Sequence, residues 1–378
     1  KIKKHSINLK SNNKTIFLNI KNLYNYKNFK VDKVILSGNV LTIDANRLKD
    51  TISYIKNLKK KLNIIALNLN IEKKENTLIQ IKDINLANYG YKKYHITGKI
   101  FNKKFKAILK DDNQSLNFKL LNTGVKAKFA FTKNFQNSIE GSSKINLLNN
   151  LLKFDFSFDD NELKLIKSNF RNKDISFSLD SLIKFNPFFN INSNIIINDI
   201  DKDLLNAIKF ENILKNKKII KKLNSQIKIS YKNKSFFSNL FESYASEIDL
   251  AYGRLVFSSK IIVDGGELDC DTDLILIEEY PRMNFVCLLN LLDEKRLFRK
   301  LSISKKTINK QKQINIEGSL NLINKKVNFK KININDSYKA NKEDMKYFKT
   351  VFETILYDEN FFKIFNKNKI KLFILEII

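Results

Sequence analysis

Residues 152–158 read Leu-Lys-Phe-Asp-Phe-Ser-Phe, a strict alternation of apolar and polar side chains. Successive side chains of a β-strand point to opposite faces, so Leu152, Phe154, Phe156 and Phe158 would share one face. The lysine, aspartate and serine between them would share the other face. The alternation therefore predicts a strand that is apolar on one side and polar on the other.

The same period of two continues along most of the chain, and short polar turns separate the alternating segments. Turns about 8 to 12 residues apart are typical of hairpins that follow one another in a sheet. We therefore expect a mainly β fold: an elongated, curved antiparallel β-sheet, a groove or trough of repeated hairpins, with a few interspersed helices. Further alternating segments lie at 116–120, 125–131, 175–179, 227–231 and 314–316.

Three stretches change to the helical period, at about 46–62, 202–223 and 342–366. Each places apolar residues at the spacing of one helix face, which predicts an amphipathic helix. A shorter helical turn is predicted at 293–300. The 378 residues include only 9 glycines and 2 prolines, and the sequence shows no clear linker. We expect one elongated domain over residues 1–378, with the helices as insertions.

The first two predicted helices have matching flanks. Ile-Asp at 43–44 precedes the first, which ends on Lys-Lys-Leu-Asn at 60–63. Ile-Asp at 200–201 precedes the second, which ends on the same four residues at 221–224. This recurrence in the same order indicates an internal repeat, so we expect the sheet to have arisen by duplication.

The chain carries 69 lysine and arginine residues against 39 acids, a formal net charge of +30. Such a charge is typical of nucleic-acid binding, because basic residues neutralise phosphates. Only six of the 69 are arginine, the side chain that base-reading sites favour. The abundance of Lys, Asn, Ile and Phe instead indicates the codon bias of an AT-rich genome, so we expect no specific nucleic-acid partner. An anionic membrane surface would attract the same chain.

Residues that carry catalysis are scarce. The only histidines are His5 and His95, far apart in the sequence, and there is neither a glycine-rich phosphate loop nor a nucleophile motif. We expect a protein that is not an enzyme and that binds no cofactor.

Four acids, Glu267, Asp269, Asp271 and Asp273, alternate with other residues and would share one strand face. Positions two apart on a strand are separated by about 7 Å, whereas Ca²⁺ requires oxygens at about 2.3–2.6 Å. We interpret the four acids as a solvated strand face and expect no metal site.

Cys270 and Cys287 fall on the apolar side of two neighbouring predicted strands. The interpretation we favour is a pair of buried free thiols. A disulfide stays open, because it requires close Cα atoms and an oxidising compartment.

A sheet with one apolar face must cover that face, with a second sheet, by closing into a barrel, or with a ligand. Membrane barrels turn the apolar face outward, carry aromatic girdles and lack internal helices, and tryptophan is absent here. A curved sheet could instead hold lipid acyl chains on its concave side. The residues that we expect to line such a groove are Phe129, Phe131, Phe154, Phe156, Phe158, Ile175, Phe177 and Leu179.

The order strand, Ile-Asp, helix, Lys-Lys-Leu-Asn, strand resembles the AsmA-like family of bacterial envelope proteins. The phenylalanine-rich hairpins from Leu151 to Phe189 and the strand-then-helix end from Gly318 to Ile378 resemble it as well. The resemblance covers most of the chain and implies a long β-groove with no agreed catalytic residues. It implies a mainly periplasmic protein that is anchored in the inner membrane and associated with phospholipid movement between membranes and with outer-membrane integrity.

The expected function is therefore that of a non-enzymatic envelope protein that holds phospholipid acyl chains in an apolar β-groove. It would serve phospholipid transport between the bacterial inner and outer membranes, or outer-membrane assembly and integrity. The sequence begins at Lys1 and contains no apolar run of about 18 residues, so we expect a fragment whose membrane anchor lies upstream. The alternative is a structural β-scaffold or adhesin-like surface protein without a lipid ligand.

Overall fold

The computed structural model describes 17 segments of the chain, and all structural statements below refer to them. The segments are 2–4, 7–18, 31–44, 62–73, 76–89, 93–110, 114–132, 138–148, 150–159, 161–185, 189–201, 223–231, 241–304, 311–324, 326–335, 337–356 and 367–377. Strands account for most of these residues, which confirms the mainly β fold. The chain divides into two compact units, Lys1–Asn169 and Phe170–Ile378.

The first unit is a sheet of successive strands. Their bounds are β1 Ile2–Lys4, β2 Ile7–Leu18, β3 Val31–Asp44, β4 Leu62–Lys73, β5 Asn76–Tyr89, β6 Lys93–Ile100, β7 Lys103–Lys110, β8 Ser115–Leu120, β9 Val125–Phe131, β10 Ile139–Leu147 and β11 Asn150–Phe158. The division between the units falls within β12, Glu162–Arg171. Neighbours from β1 to β11 pair antiparallel, as the alternation predicts, except β3 and β4, which are parallel.

The second unit combines strands with helices. Its strands are β13 Ile175–Lys184, β14 Asn190–Ile200, β15 Asn224–Tyr231, β16 Phe241–Ala251, β17 Arg254–Val263, β18 Gly266–Ile275, β19 Arg282–Leu291, β20 Lys312–Asn321, β21 Val327–Ile334 and β22 Tyr338–Lys339. Its helices are α1 Glu294–Leu301, α2 Lys342–Val351, continued by a π-helical turn at Phe352–Leu356, and α3 Lys367–Ile377. Successive strands again pair antiparallel except β14 and β15, which are parallel.

The two parallel pairs occupy the two copies of the sequence repeat. In both copies the Ile-Asp motif stands at the end of one strand, and Lys-Lys-Leu-Asn leads into its parallel partner. Parallel strands need a long crossover connection, whereas antiparallel strands can be joined by a short turn. The long segments that join β3 to β4 and β14 to β15 are therefore where the antiparallel order is interrupted. The predicted helices at 46–62 and 202–223 fall in these connections and lie outside the described residues, apart from Leu62, which begins β4, and Leu223.

The predicted helical turn at 293–300 is confirmed as α1. Asp293 caps it, because its carboxylate accepts a hydrogen bond of 3.1 Å from the backbone N–H of Arg296. The side chains of Leu297, Phe298 and Leu301 are buried against the sheet. This helix therefore covers the apolar face at the end of β19.

The predicted helix at 342–366 is confirmed from 342 to 356, and residues 357–366 lie outside the described residues. Asn341 caps α2 by accepting from the backbone N–H groups of Glu343 and Asp344 at 2.8 and 2.9 Å. Helix α3 lies beyond the predicted end. Its Ile370 and Ile374, one helical turn apart, pack against the cluster around Leu301.

Within the described segments, no helix combines the length and the apolar character that crossing a membrane requires.

Candidate functional site

The apolar face of β8 to β11 in the first unit carries a cluster of aromatic rings, which we call the phenylalanine face. It consists of Phe118, Phe129, Phe131, Phe154, Phe156 and Phe158. Strand register places Phe131 opposite Gly141, and Gly141 opposite Phe156. The structure therefore brings together all five phenylalanines that the sequence predicts for the first unit.

Small residues on the middle strand, β10, allow rings from the two flanking strands to meet. The ring centroids of Phe131 and Phe156 lie 6.1 Å apart at an interplanar angle of 87°, across Gly141. The rings of Phe129 and Phe156 lie 6.3 Å apart at 81°. Both are edge-to-face arrangements, which are favourable for aromatic pairs. A Cβ atom at Gly141 would collide with the backbone carbonyl of Ala130, so glycine is required there.

The rings of the phenylalanine face are only half-buried. Ser143, which lies between Phe129 and Phe154 on β10, is 5% exposed because the neighbouring rings cover it. The phenylalanines themselves are of intermediate exposure, neither fully buried nor fully exposed. The central aromatic residues of a closed sandwich are buried by the facing sheet. The described residues thus leave an apolar surface that a ligand can contact.

In the second unit, helices pack on the apolar face of the sheet. Leu301 is 0% exposed and belongs to a cluster with Ile261 and Leu291 of the sheet, against which Ile370 and Ile374 of α3 pack. A second buried cluster includes Leu274, Met283 and Leu320, and Phe352 of the π-helical turn packs against it. Helices therefore cover part of the apolar face in the second unit.

The other three predicted groove residues, Ile175, Phe177 and Leu179, lie on one face of β13 in the second unit. They are half-buried, and the ring of Phe177 stacks on that of Phe170 with centroids 5.0 Å apart. Their partners on β14 are Ile200, Ile197 and Ile195, which continue the apolar face.

Sequence reasoning missed several residues of the apolar face. The alternation at 116–120 placed Phe118 on the apolar face, but Phe118 was not among the residues predicted to line the groove. In the structure its ring stacks on that of Phe105 of β7, with centroids 5.5 Å apart. The roles of Gly141 and Ser143 depend on strand register, which alternation within single strands does not reveal.

The four acids of β18 lie on the polar face of the second unit, and three of them, Glu267, Asp269 and Asp273, pair with bases of β17. Arg254 donates two hydrogen bonds to the carboxylate of Asp273, at 3.0 and 2.8 Å. The ammonium of Lys260 lies 2.7 Å from Glu267. Among the described residues no group of side chains has the geometry of a metal site.

We expect Arg254→Gln to raise the pKa of Asp273. The hydrogen bonds from Arg254 hold the pKa of this carboxyl below its ordinary value, desolvation opposes them, and the charge of Arg254 adds to the lowering. A lowered pKa in the folded state stabilises the fold above the pKa of the unfolded state, and this contribution is lost as the pH falls through the folded pKa. Carboxyl-carbon NMR titration would measure the change, with Arg282→Gln on β19 as the control. An Asp273 titration that does not respond to Arg254→Gln would contradict the assignment.

Cys270 and Cys287 are bonded to each other, so the favoured interpretation as free thiols was wrong. They stand directly opposite one another on β18 and β19, with Cα atoms 4.1 Å apart. This register brings the two sulfurs together, and register is the information that the sequence pattern lacks.

In comparisons with known proteins, no protein family, no curated protein and no solved structure matches this chain.

Proposed function

We propose that this protein binds phospholipid acyl chains on the phenylalanine face and serves lipid transport between membranes, or membrane integrity, in the bacterial envelope. The observation that carries the proposal is the half-buried state of Phe129, Phe131, Phe154 and Phe156 on a sheet whose other face is lysine-rich. Burying an apolar side chain yields about 25 cal/mol for each Å² removed from water. Acyl chains laid on these rings would gain this energy.

Two further features support a location in the cell envelope. The Cys270–Cys287 disulfide is a bond that persists in oxidising compartments such as the bacterial periplasm. The resemblance to the AsmA-like family favours the same compartment, with anchoring in the inner membrane. No chemical step is part of the proposal, because the phenylalanine face offers apolar contact rather than reacting groups.

Lipid extraction from the purified protein tests the proposal. The protein is produced in bacterial cells, purified without lipid-stripping detergent, and its extract is quantified by mass spectrometry against protein concentration. We expect at least one phospholipid for each chain, and rebinding after delipidation. A protein that carries only trace lipid and fails to rebind it would contradict the proposal and favour the structural-scaffold alternative.

A further inference from the structure

The polar face of β7 to β11, on the opposite side of the sheet from the phenylalanine face, carries two rows of lysines. Lys106, Lys119 and Lys126 stand directly opposite one another on β7, β8 and β9. Lys128, Lys144 and Lys153 do so on β9, β10 and β11. We call these six residues the lysine face.

Like charges directly opposite on neighbouring strands destabilise a sheet. Within the described segments none of the six lysines forms an ion pair. The acids on this part of the polar face are engaged elsewhere: Asp155 lies 3.8 Å from Lys167, and Glu140 accepts from the hydroxyl of Ser138 at 2.9 Å. Among the described residues, the six lysines therefore have no carboxylate within ion-pair distance, and Asp155 and Glu140 offset only part of their charge, which favours an external anion.

Codon bias alone does not explain this arrangement, because the same chain pairs its charges across strands in the second unit. Lys228 lies 2.8 Å from Glu247, and Arg254 and Lys260 bond to acids of β18. Opposite charges across strands are the usual stabilising arrangement. At the six positions of the lysine face, by contrast, lysine lies opposite lysine on the neighbouring strand.

A cavity lies over the second row of lysines. Its volume is about 470 Å³, and its lining includes four lysines, one acid and several small polar residues. The lysines are Lys128, Lys144, Lys153 and Lys167, and the acid is Asp155, whose carboxylate lies 3.8 Å from the ammonium of Lys167. Ammonium, hydroxyl and amide groups are donors that suit phosphate oxygens. The cavity therefore offers room for phosphate groups next to Lys128, Lys144 and Lys153.

The side chains of this face favour a lipid surface over a nucleic acid. Along β7 to β11, as far as the structure describes them, the polar face carries neither an aromatic ring that could stack on a base nor an arginine. Single-stranded nucleic acids are bound by aromatic stacking, and bases are read by arginine. Clustered lysines suffice for the headgroup phosphates of an anionic bilayer, to which each contributes by charge.

We propose that the lysine face docks the protein onto an anionic phospholipid surface. The phenylalanine face lies on the other side of the sheet, so docking does not require that acyl chains be bound there. The two proposals can therefore fail separately.

Co-sedimentation with vesicles tests the docking. We expect the protein to bind phosphatidylcholine vesicles that contain phosphatidylglycerol and to dissociate from them as the salt concentration rises. It should not bind vesicles of pure phosphatidylcholine. The triple variant Lys128→Gln, Lys144→Gln, Lys153→Gln should bind about 100-fold more weakly, since each lysine near an anionic surface contributes about fivefold. The control variant Lys184→Gln, Lys326→Gln, Lys346→Gln removes the same charge from other exposed positions and should bind nearly as the wild type does.

Three results would overturn the proposal: equal losses of vesicle binding in both triple variants, undiminished vesicle binding by the lysine-face variant, or tighter binding of single-stranded DNA than of anionic vesicles.

Thermal melting provides the folding control. Because the lysine-face substitutions remove like-charge repulsion, we expect a melting temperature at or above that of the wild type. A lower one would contradict the argument that these charges repel one another.

Discussion

Phe156→Asp should lower the amount of co-purified phospholipid by at least about tenfold, since burying an unpaired carboxylate against acyl chains costs several kcal/mol. Phe156 is central to the phenylalanine face, because its ring contacts those of Phe129, Phe131 and Phe154 at centroid distances of 6.1 to 6.3 Å. Lipid extraction and mass spectrometry would measure the loss.

The matched control is Ala130→Asp, which adds the same charge at an exposed position on the polar face of β9. It should leave the lipid load unchanged. Phe156→Leu provides a second control, because it removes the ring and keeps an apolar side chain, so most of the bound lipid should remain. A normal lipid load in Phe156→Asp would show that acyl chains do not lie on these rings.

Leu301→Ala should lower the free energy of unfolding of the second unit by about 3 kcal/mol, the usual cost of a large-to-small change in a packed core. Leu301 is 0% exposed at the end of α1, where Leu297, Phe298 and α3 surround it. Urea denaturation followed by far-UV circular dichroism would measure the change, since the chain contains no tryptophan.

Leu292→Ala is the control for this prediction. Leu292 is the same residue type, lies just before α1 and is 65% exposed. Its truncation should change the free energy of unfolding by less than about 0.5 kcal/mol. Similar losses in both variants would contradict the view that α1 covers and stabilises the apolar face of the second unit.

Period-two alternation was sufficient to predict the strands and their apolar sides. Phe154, Phe156 and Phe158 share a face because every strand turns successive side chains to opposite sides, whatever its neighbours are. The helices α1 and α2 were predictable for a similar reason, because Asp293 and Asn341 are caps that act within one turn of chain. These features depend on interactions between residues close in sequence.

Strand register was not predictable, because it depends on turn geometry and on the neighbouring strand. Register decides that Gly141 lies between Phe131 and Phe156, that Cys270 faces Cys287, and that Lys144 lies between Lys128 and Lys153. Each strand alone shows an ordinary polar or apolar residue at these positions. The candidate site therefore could be predicted as a face, but not as a set of contacts.

Helix α3 was missed for a different reason. Its residues Ile370, Leu372 and Ile374 also fit an alternating pattern, so periodicity does not separate helix from strand in this short apolar segment. Packing decides the outcome, because Ile370 and Ile374 lie one helical turn apart and both contact the cluster around Leu301.

Photo-crosslinking gives the most direct test of whether acyl chains lie on the phenylalanine face. The photoreactive amino acid p-benzoylphenylalanine is placed at position 156 or, as the control, at position 258, and cells are irradiated before purification. Ser258 is exposed on the polar face of β17, between Glu247 and Asp271 and away from the lysine face. We predict a protein species heavier by the mass of one phospholipid from position 156, with the link to an acyl carbon, and none from position 258. Equal crosslinking at both positions, or none at position 156, would contradict the account.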